Sequence, residues 1–264
     1  MPQLKIPCML MRGGTSKGPF FDLRDLPSYE EQRSKLLLRL MGSPDVSQID
    51  GLGGAKTVTS KVVMVRPSSR TGIDVDFLFA QVEIENSIVD TGPTCGNMMT
   101  GVAPFAIERR MVISEHPETK VRIYNINTDS TSEAIVQTPK GIVQYDGETT
   151  IDGVPGTAAP IQMNLFDQHG VKTGKLFPSG KTREQIGGVE VSLVDSCTAL
   201  MLLKAEDIGL SGEEGKEFFL QNPDVMKSYP ICDWKQASEW GWEMLKIVCY
   251  RELVSYLRHS AAAR

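Results

Sequence analysis

Three short segments carry residue types able to do chemistry. Thr94-Cys95-Gly96-Asn97 precedes an apolar, helix-like run. A thiol at a helix N-terminus feels unpaired backbone N–H groups and the positive end of the helix dipole, and both favour thiolate. The same N–H groups suit a carboxylate, and Gly96 leaves room for a substrate to approach. A buried structural cysteine is the competing reading, and spacing alone leaves both open. Ser60-Lys61 lies between Val58 and Val62-Val63. A free lysine is protonated at neutral pH and useless as a base, whereas burial among apolar side chains disfavours the charge and frees the amine. A lysine on the outward face of a strand is the alternative there. Arg12-Gly13-Gly14-Thr15-Ser16-Lys17-Gly18 follows a short apolar run. Its glycines let backbone N–H groups converge, and Ser16 and Lys17 add donors and charge, which suits an anionic group. An ordinary tight turn with a solvated lysine reads equally well.

Other signals are exclusions. Ser179-Gly180-Lys181-Thr182 looks like the end of a phosphate-binding loop, but the nearest upstream glycine, Gly174, is one residue too far. Gly51-Leu52-Gly53-Gly54 lacks the third glycine of a dinucleotide loop, since position 56 is Lys56. The five cysteines are widely spaced without a CxxC, and His116, His169 and His259 stand at no ligand spacing from a cysteine pair. A disulfide framework and a zinc site are therefore not expected. With 28 Lys and Arg against 33 Asp and Glu in 264 residues, the net charge is −5. That balance argues against a nucleic-acid or anionic-membrane partner. No apolar stretch approaches the roughly 20 residues of a membrane helix, and the N-terminus is too polar for a signal peptide. A protein of the cytoplasm is the expectation.

The elements that would position these segments are mostly strands. Leu4–Met11, Thr57–Val65, Ile73–Ile84, Ile88–Asp90, Val121–Ile126, Ala134–Thr138 and Gly141–Tyr145 read as strands from their alternation and β-branched content. Tyr29–Met41 reads as a helix with Leu36, Leu37 and Leu40 on one face, capped by Ser28 with Glu31 and ended by Gly42. Met98–Met111 reads as helical, with Pro104 starting or kinking a helix. Pro155–Pro160 reads as a loop and Glu213–Arg264 as helical, with Trp234, Trp240 and Trp242 near its middle. The run Val189 to Asp195 followed by Cys197 echoes Val82 to Asp90 followed by Cys95, which hints at two related halves.

Taken in order, MRGGTSKGPFF (Met11–Phe21), GLGGAKTVTSKVVMV (Gly51–Val65), DFLFAQV (Asp76–Val82), DTGPTCGNMMTGVAPFAIE (Asp90–Glu108) and PGTAAPIQMNLFD (Pro155–Asp167) resemble the PrpF-like family of methylaconitate isomerases, most closely its 4-oxalomesaconate tautomerase branch. The resemblance covers residues 3 to 210. It implies an α+β, diaminopimelate-epimerase-like fold of two similar domains, each a β-barrel around a central helix, with the site in the cleft between them. Residues 1–186 would form the first domain and 187–264 a partial second one, apparently truncated, because the likeness fades after about Gly209. The implied chemistry is a 1,3-allylic proton shift on a small unsaturated polycarboxylate, without cofactor or metal, in aromatic-compound breakdown. The family's catalytic Lys and Cys match Lys61 and Cys95. Arg12, Gly13, Gly14, Thr15, Ser16 and Lys17 would hold substrate carboxylates, and Gly54, Ser60, Gly96 and Asn97 would complete the oxyanion side. Cys197 is expected near the cleft as a small buried residue. A sheet edge left uncovered by a shortened second domain would favour a homodimer.

Overall fold

The computed structural model describes residues 4–166, 169–170, 173–196, 198–222 and 246–250. The chain falls into two compact units, Met1–Asp167 and Gln168–Arg264. The division lies ahead of the 186/187 boundary expected from the sequence. The segment before 187 belongs with the strands after it: the Gly170 N–H donates to the Asp195 carbonyl, and Glu184–Ile186 pairs with Val189–Val191.

The first unit is built on one mixed sheet. Its strands are β1 (Cys8–Gly13), β2 (Ser16–Asp22), β3 (Lys61–Pro67), β4 (Val75–Val82), β5 (Val89–Asp90), β6 (Glu118–Asn125), β7 (Ser130–Gln137) and, after the small hairpin of β8 (Thr149–Ile151) and β9 (Val154–Ala158), β10 (Ile161–Leu165). The order is β1-β2-β3-β4-β6-β7-β10, with β5 added to β4. Helix α1 (Glu30–Met41) covers one face. The short helices α2 (Gly96–Met99) and α3 (Val102–Glu108) lie on the other, and they touch β1, β2, β3, β6 and β7, so the sheet curls around them.

Strand alternation explains the two cores. Val63, Val65, Val75, Phe77 and Phe79 pack with Met98, Val102, Phe105, Val121 and Ile123 on the α2–α3 side. The intervening Val62, Met64, Leu78, Ala80 and Val82 pack with Leu37 and Met41 of α1. Central strands buried on both faces read as continuous apolar runs, as TVTSKVVMV and DFLFAQV do. Strand β6 is covered on one side only, and its Glu118, Lys120 and Arg122 face solvent between buried neighbours.

Several local expectations change. Helix α1 starts after Tyr29, and Ser28 makes no side-chain cap. Glu31, expected to complete that cap, pairs instead with Lys35 at 2.6 Å, one turn on. Thr57–Thr59 forms a 3-10 turn rather than a strand start, closed by the Thr59 N–H on the Lys56 carbonyl. Gly141–Tyr145 is not a strand: Pro139–Gly141 turns, and only the Gln144 N–H reaches back to the Gln137 carbonyl. Conversely, Pro155–Ala158 is part of β9, because Gly153 (φ +79°) lets the chain turn back and pair Val154 with Ile151.

The second unit has a four-stranded sheet in the order β11 (Glu184–Ile186), β12 (Val189–Ser196), β13 (Thr198–Lys204), β14 (Lys246–Tyr250), with helix α4 (Lys216–Gln221) before the last strand. β14 runs parallel to β13, so this stretch of the tail is strand where helix was expected. The sequence echo also ends differently. Val189–Ser196 is one continuous strand, whereas Val82 to Asp90 breaks at a turn where the Glu83 N–H meets the Ile88 carbonyl. Cys197, Trp234, Trp240 and Trp242 lie outside the described residues. Among the described residues, no helix is long and apolar enough to cross a membrane.

Candidate active site

Lys61 is the first residue of β3 and shares the inner face with Val63 and Val65. It is half-buried. Its Nζ donates to Cys95 Sγ at 3.6 Å and to Gln81 Oε1 at 3.1 Å, and stands 5.0 Å from the centre of the Phe79 ring. Register supplies these neighbours: Lys61 lies opposite Gln81 and Val63 opposite Phe79 on the antiparallel β4. The Gln81 amide cannot flip without loss, because its Nε2 donates to the Ser60 carbonyl at 2.8 Å and the Thr57 carbonyl at 3.2 Å.

Cys95 is the cap residue of α2, with extended backbone (φ −137°, ψ 102°) and no side-chain capping bond. It is half-buried against the inner core. Gly96 and Asn97 follow on the first turn. A Cβ on Gly96 would meet nothing within 4 Å, so neither packing nor backbone conformation in this structure requires glycine there. The β1–β2 hairpin closes on the same turn. Asn97 Nδ2 donates to Thr15 Oγ1 at 2.9 Å. A Cβ on Gly13 would overlap the Asn97 carbonyl, and one on Gly14 the Asn97 side chain; Gly14 also has φ +50°. A Cβ on Gly18 would overlap the Lys61 carbonyl, which brings β2 flush against the lysine. The pair of thiol and amine is thus walled by β2, β4 and the glycine hairpin.

A family model described as PrpF protein matches residues 3–231. The 4-oxalomesaconate tautomerase of Pseudomonas putida is 49% identical over 214 residues, covering 81% of this chain and 59% of that protein. The chain belongs to the PrpF family. The 3-methylitaconate isomerase of Eubacterium barkeri is 42% identical over 228 residues, covering 85% of this chain and 60% of that relative. A crystal structure of methylitaconate-delta-isomerase superposes with a TM-score of 0.78 at 40% identity, covering 90% of this chain and 62% of that one. The chain therefore spans about three-fifths of the length of these relatives. The α+β class read from the sequence agrees with the mixed sheets and short helices of this PrpF chain, whose fold is that of methylitaconate-delta-isomerase over the superposed part.

The remaining expected residues divide into those at the pair and those elsewhere. Gly13, Gly14, Thr15, Gly96 and Asn97 meet where the hairpin tip abuts α2. Ser16 is buried on the same hairpin face. Alternation sets Arg12 and Lys17, which are paired in register, on the opposite face, where both are exposed. The Arg12 guanidinium folds onto the Gly14 carbonyl at 2.8 Å. Ser60 is fully buried, and its hydroxyl is committed to structure: it donates to the Val82 carbonyl at 2.8 Å and accepts from Gln48 Nε2 at 2.7 Å. Gly54 belongs to that same loop, packed on Thr59. Among the described residues no cluster of His, Cys, Asp or Glu is arranged to hold a metal.

Sequence reasoning missed Gln81, and also Asn125 at the end of β6 and Asn127 just after it. Gln81 did leave a signal. At inner-face positions 75, 77, 79 and 81 the residues are Val, Phe, Phe and then Gln, a polar break at the point opposite Lys61.

Proposed function

We propose that this PrpF chain catalyses, as part of its protein, a 1,3-allylic proton shift on an unsaturated polycarboxylate, with 4-oxalomesaconate as first choice. The observation that supports the reading is the 3.6 Å contact between an amine and a thiol on one wall.

Moving a double bond between two carbons requires that a proton leave one carbon and another arrive two carbons away. The intermediate is a dienolate, whose charge spreads into the adjoining keto or carboxylate group. In one direction neutral Lys61 takes the first proton and the Cys95 thiol gives the second, leaving ammonium and thiolate. Proton transfer from Nζ to Sγ across their hydrogen bond then restores the starting pair. In the other direction thiolate is the base and ammonium the acid. The two assignments hold the same number of protons and differ only in which atom carries one. In this reading the hairpin N–H groups and Asn97, next but one to Cys95, supply donors for the developing oxyanion. The chemistry needs no redox partner, and a cofactor-independent enzyme is the form of the proposal.

The P. putida relative named for 4-oxalomesaconate, at 49% identity, favours that acid. The superposition on methylitaconate-delta-isomerase favours a second reading, in which a methyl-substituted acid such as 2-methylaconitate or methylitaconate fills the same site. The experiment is proton NMR in deuterated buffer with each acid in turn. Deuterium at the two allylic carbons together with a moved double bond supports the isomerase. No exchange with any of these acids, from protein that melts cooperatively and at a higher temperature with acid present, would replace it with a binding role.

A further inference from the structure

Cys95 is carried on a loop, Thr91–Thr94, between β5 and α2, and that loop must hold the thiol near a lysine on another strand. Within the loop itself the Gly92 N–H is taken by Asp90 Oδ1 at 2.8 Å. Among the described residues, the side-chain hydrogen bonds that reach the loop from a distant part of the chain come from Asn125 and Asn127. Asn125, at the end of β6, is buried, and its Nδ2 donates to Thr94 Oγ1 at 2.6 Å, one residue before Cys95. Asn127, in the turn to β7, donates from Nδ2 to the Thr91 carbonyl at 2.7 Å.

Asn127 also grips the other half of the site. Its Oδ1 accepts from the Phe79 N–H at 2.8 Å and its Nδ2 donates to the Phe79 carbonyl at 2.9 Å. The side chain therefore stands in for a strand neighbour at the residue whose ring lies 5.0 Å from Lys61 Nζ. The two asparagines are themselves linked, since the Asn127 N–H donates to Asn125 Oδ1 at 3.0 Å. One turn thus holds the backbone beneath the lysine with one amide and the loop carrying the cysteine with the same amide and its neighbour.

We propose that Asn125 and Asn127 are positioning residues that set the approach of Cys95 to Lys61, an inference that rests on the isomerase reading only for its consequence in turnover. Neither touches the amine or the thiol. A carboxamide suits the task because Asn127 must present an acceptor to one backbone group and donors to two others, which no other side chain of that length does.

The test measures coupling between the two reactive groups and needs no substrate. Cys95 is alkylated with iodoacetamide at neutral pH, and its rate is read by peptide mass spectrometry against Cys8, an exposed thiol of the same chain. An ammonium beside a thiol favours the reactive thiolate, so Lys61→Met slows Cys95 severalfold in the otherwise unaltered protein. In an Asn127→Ala background Lys61→Met changes the rate by less than twofold, because the groups are no longer held together; this is a double-mutant cycle. Thr94→Val, which deletes only the acceptor for Asn125, gives an intermediate factor. Should Asn127→Ala fail to melt cooperatively, Thr94→Val carries the comparison. An equal Lys61→Met factor in all backgrounds, including no effect in any, overturns the proposal. A merely stabilising role would lower the melting temperature and leave the factor untouched. Absence of turnover with every acid would refute the isomerase reading and leave this result standing.

Discussion

Lys61 Nζ and Cys95 Sγ stand 3.6 Å apart although 34 positions separate them in the chain. Such a contact gives each group the other as a proton partner. On the proposed acid–base roles neither substitution should be tolerated by the chemistry, and both should be tolerated by the fold, since each side chain is only half-buried. Cys95→Ser should keep the melting temperature within a few degrees and lower turnover by about 10²- to 10⁴-fold, the usual range for a lost acid–base group. Lys61→Met should do the same while leaving acid binding measurable by calorimetry. Near-normal turnover in either variant would remove that residue from the mechanism.

Gln81 offers Lys61 a neutral acceptor. Its replacement by glutamate keeps size and shape but puts a carboxylate against the amine, which holds it as ammonium. The carboxylate also faces the Ser60 and Thr57 carbonyls that Nε2 now satisfies. Gln81→Glu should lower turnover at neutral pH about tenfold or more, with part of the loss regained as the pH is raised. A pH–rate profile checks it; an unchanged profile would mean that Gln81 is only a strand residue.

Legibility in the chain tracks how local each feature is. The two-faced burial of β3 and β4 is written in their apolar stretches Val62–Val65 and Phe77–Ala80, whereas Lys61 and Cys95 stand open between structural and chemical readings until the ordered motifs single them out. Alternation with register would also have found Gln81. Asn125 and Asn127 left no such mark. A turn asparagine satisfying its own backbone looks the same in sequence as one reaching 48 positions away to Phe79. Ser60 and Arg12 show what a motif leaves open about side-chain direction. Arg12 alternates to the exposed face of β1 beside the buried Gly13, and the Ser60 hydroxyl, just ahead of β3, is bonded to the Val82 carbonyl and Gln48. The expected Ser28 cap failed because the helix starts one residue later, with Tyr29 at the cap position, and Glu31, now the second helical residue, pairs with Lys35.

Ser60 gives the sharpest test of that distinction. Its hydroxyl satisfies the buried Val82 carbonyl and the Gln48 amide. Ser60→Ala leaves both short of a partner and should destabilise the fold by about 1–3 kcal/mol. Chemical denaturation reads this as a lower midpoint. The Michaelis constant for the acid should be unchanged at temperatures where the variant is folded. A raised Michaelis constant with no loss of stability would restore Ser60 to the substrate site.

Gly96 supports the converse argument. Glycine in a helix normally costs about 0.5–1 kcal/mol relative to alanine, and a residue that bears this cost is usually explained by a positive φ or by a tight neighbour. Gly96 has neither, since a Cβ there meets no heavy atom within 4 Å. The position is exposed and directly follows Cys95 on the first turn of α2. If a substrate carboxylate comes to rest there, a methyl group would stand in its way while improving the helix. Gly96→Ala should therefore hold or slightly raise the melting temperature of the free protein. The same change should raise the Michaelis constant severalfold and shrink the upward shift in melting temperature that the acid produces. Measuring both melts, with and without acid, separates the outcomes. A variant stable and fully responsive to the acid would show that the open space beside Cys95 is not where the substrate sits.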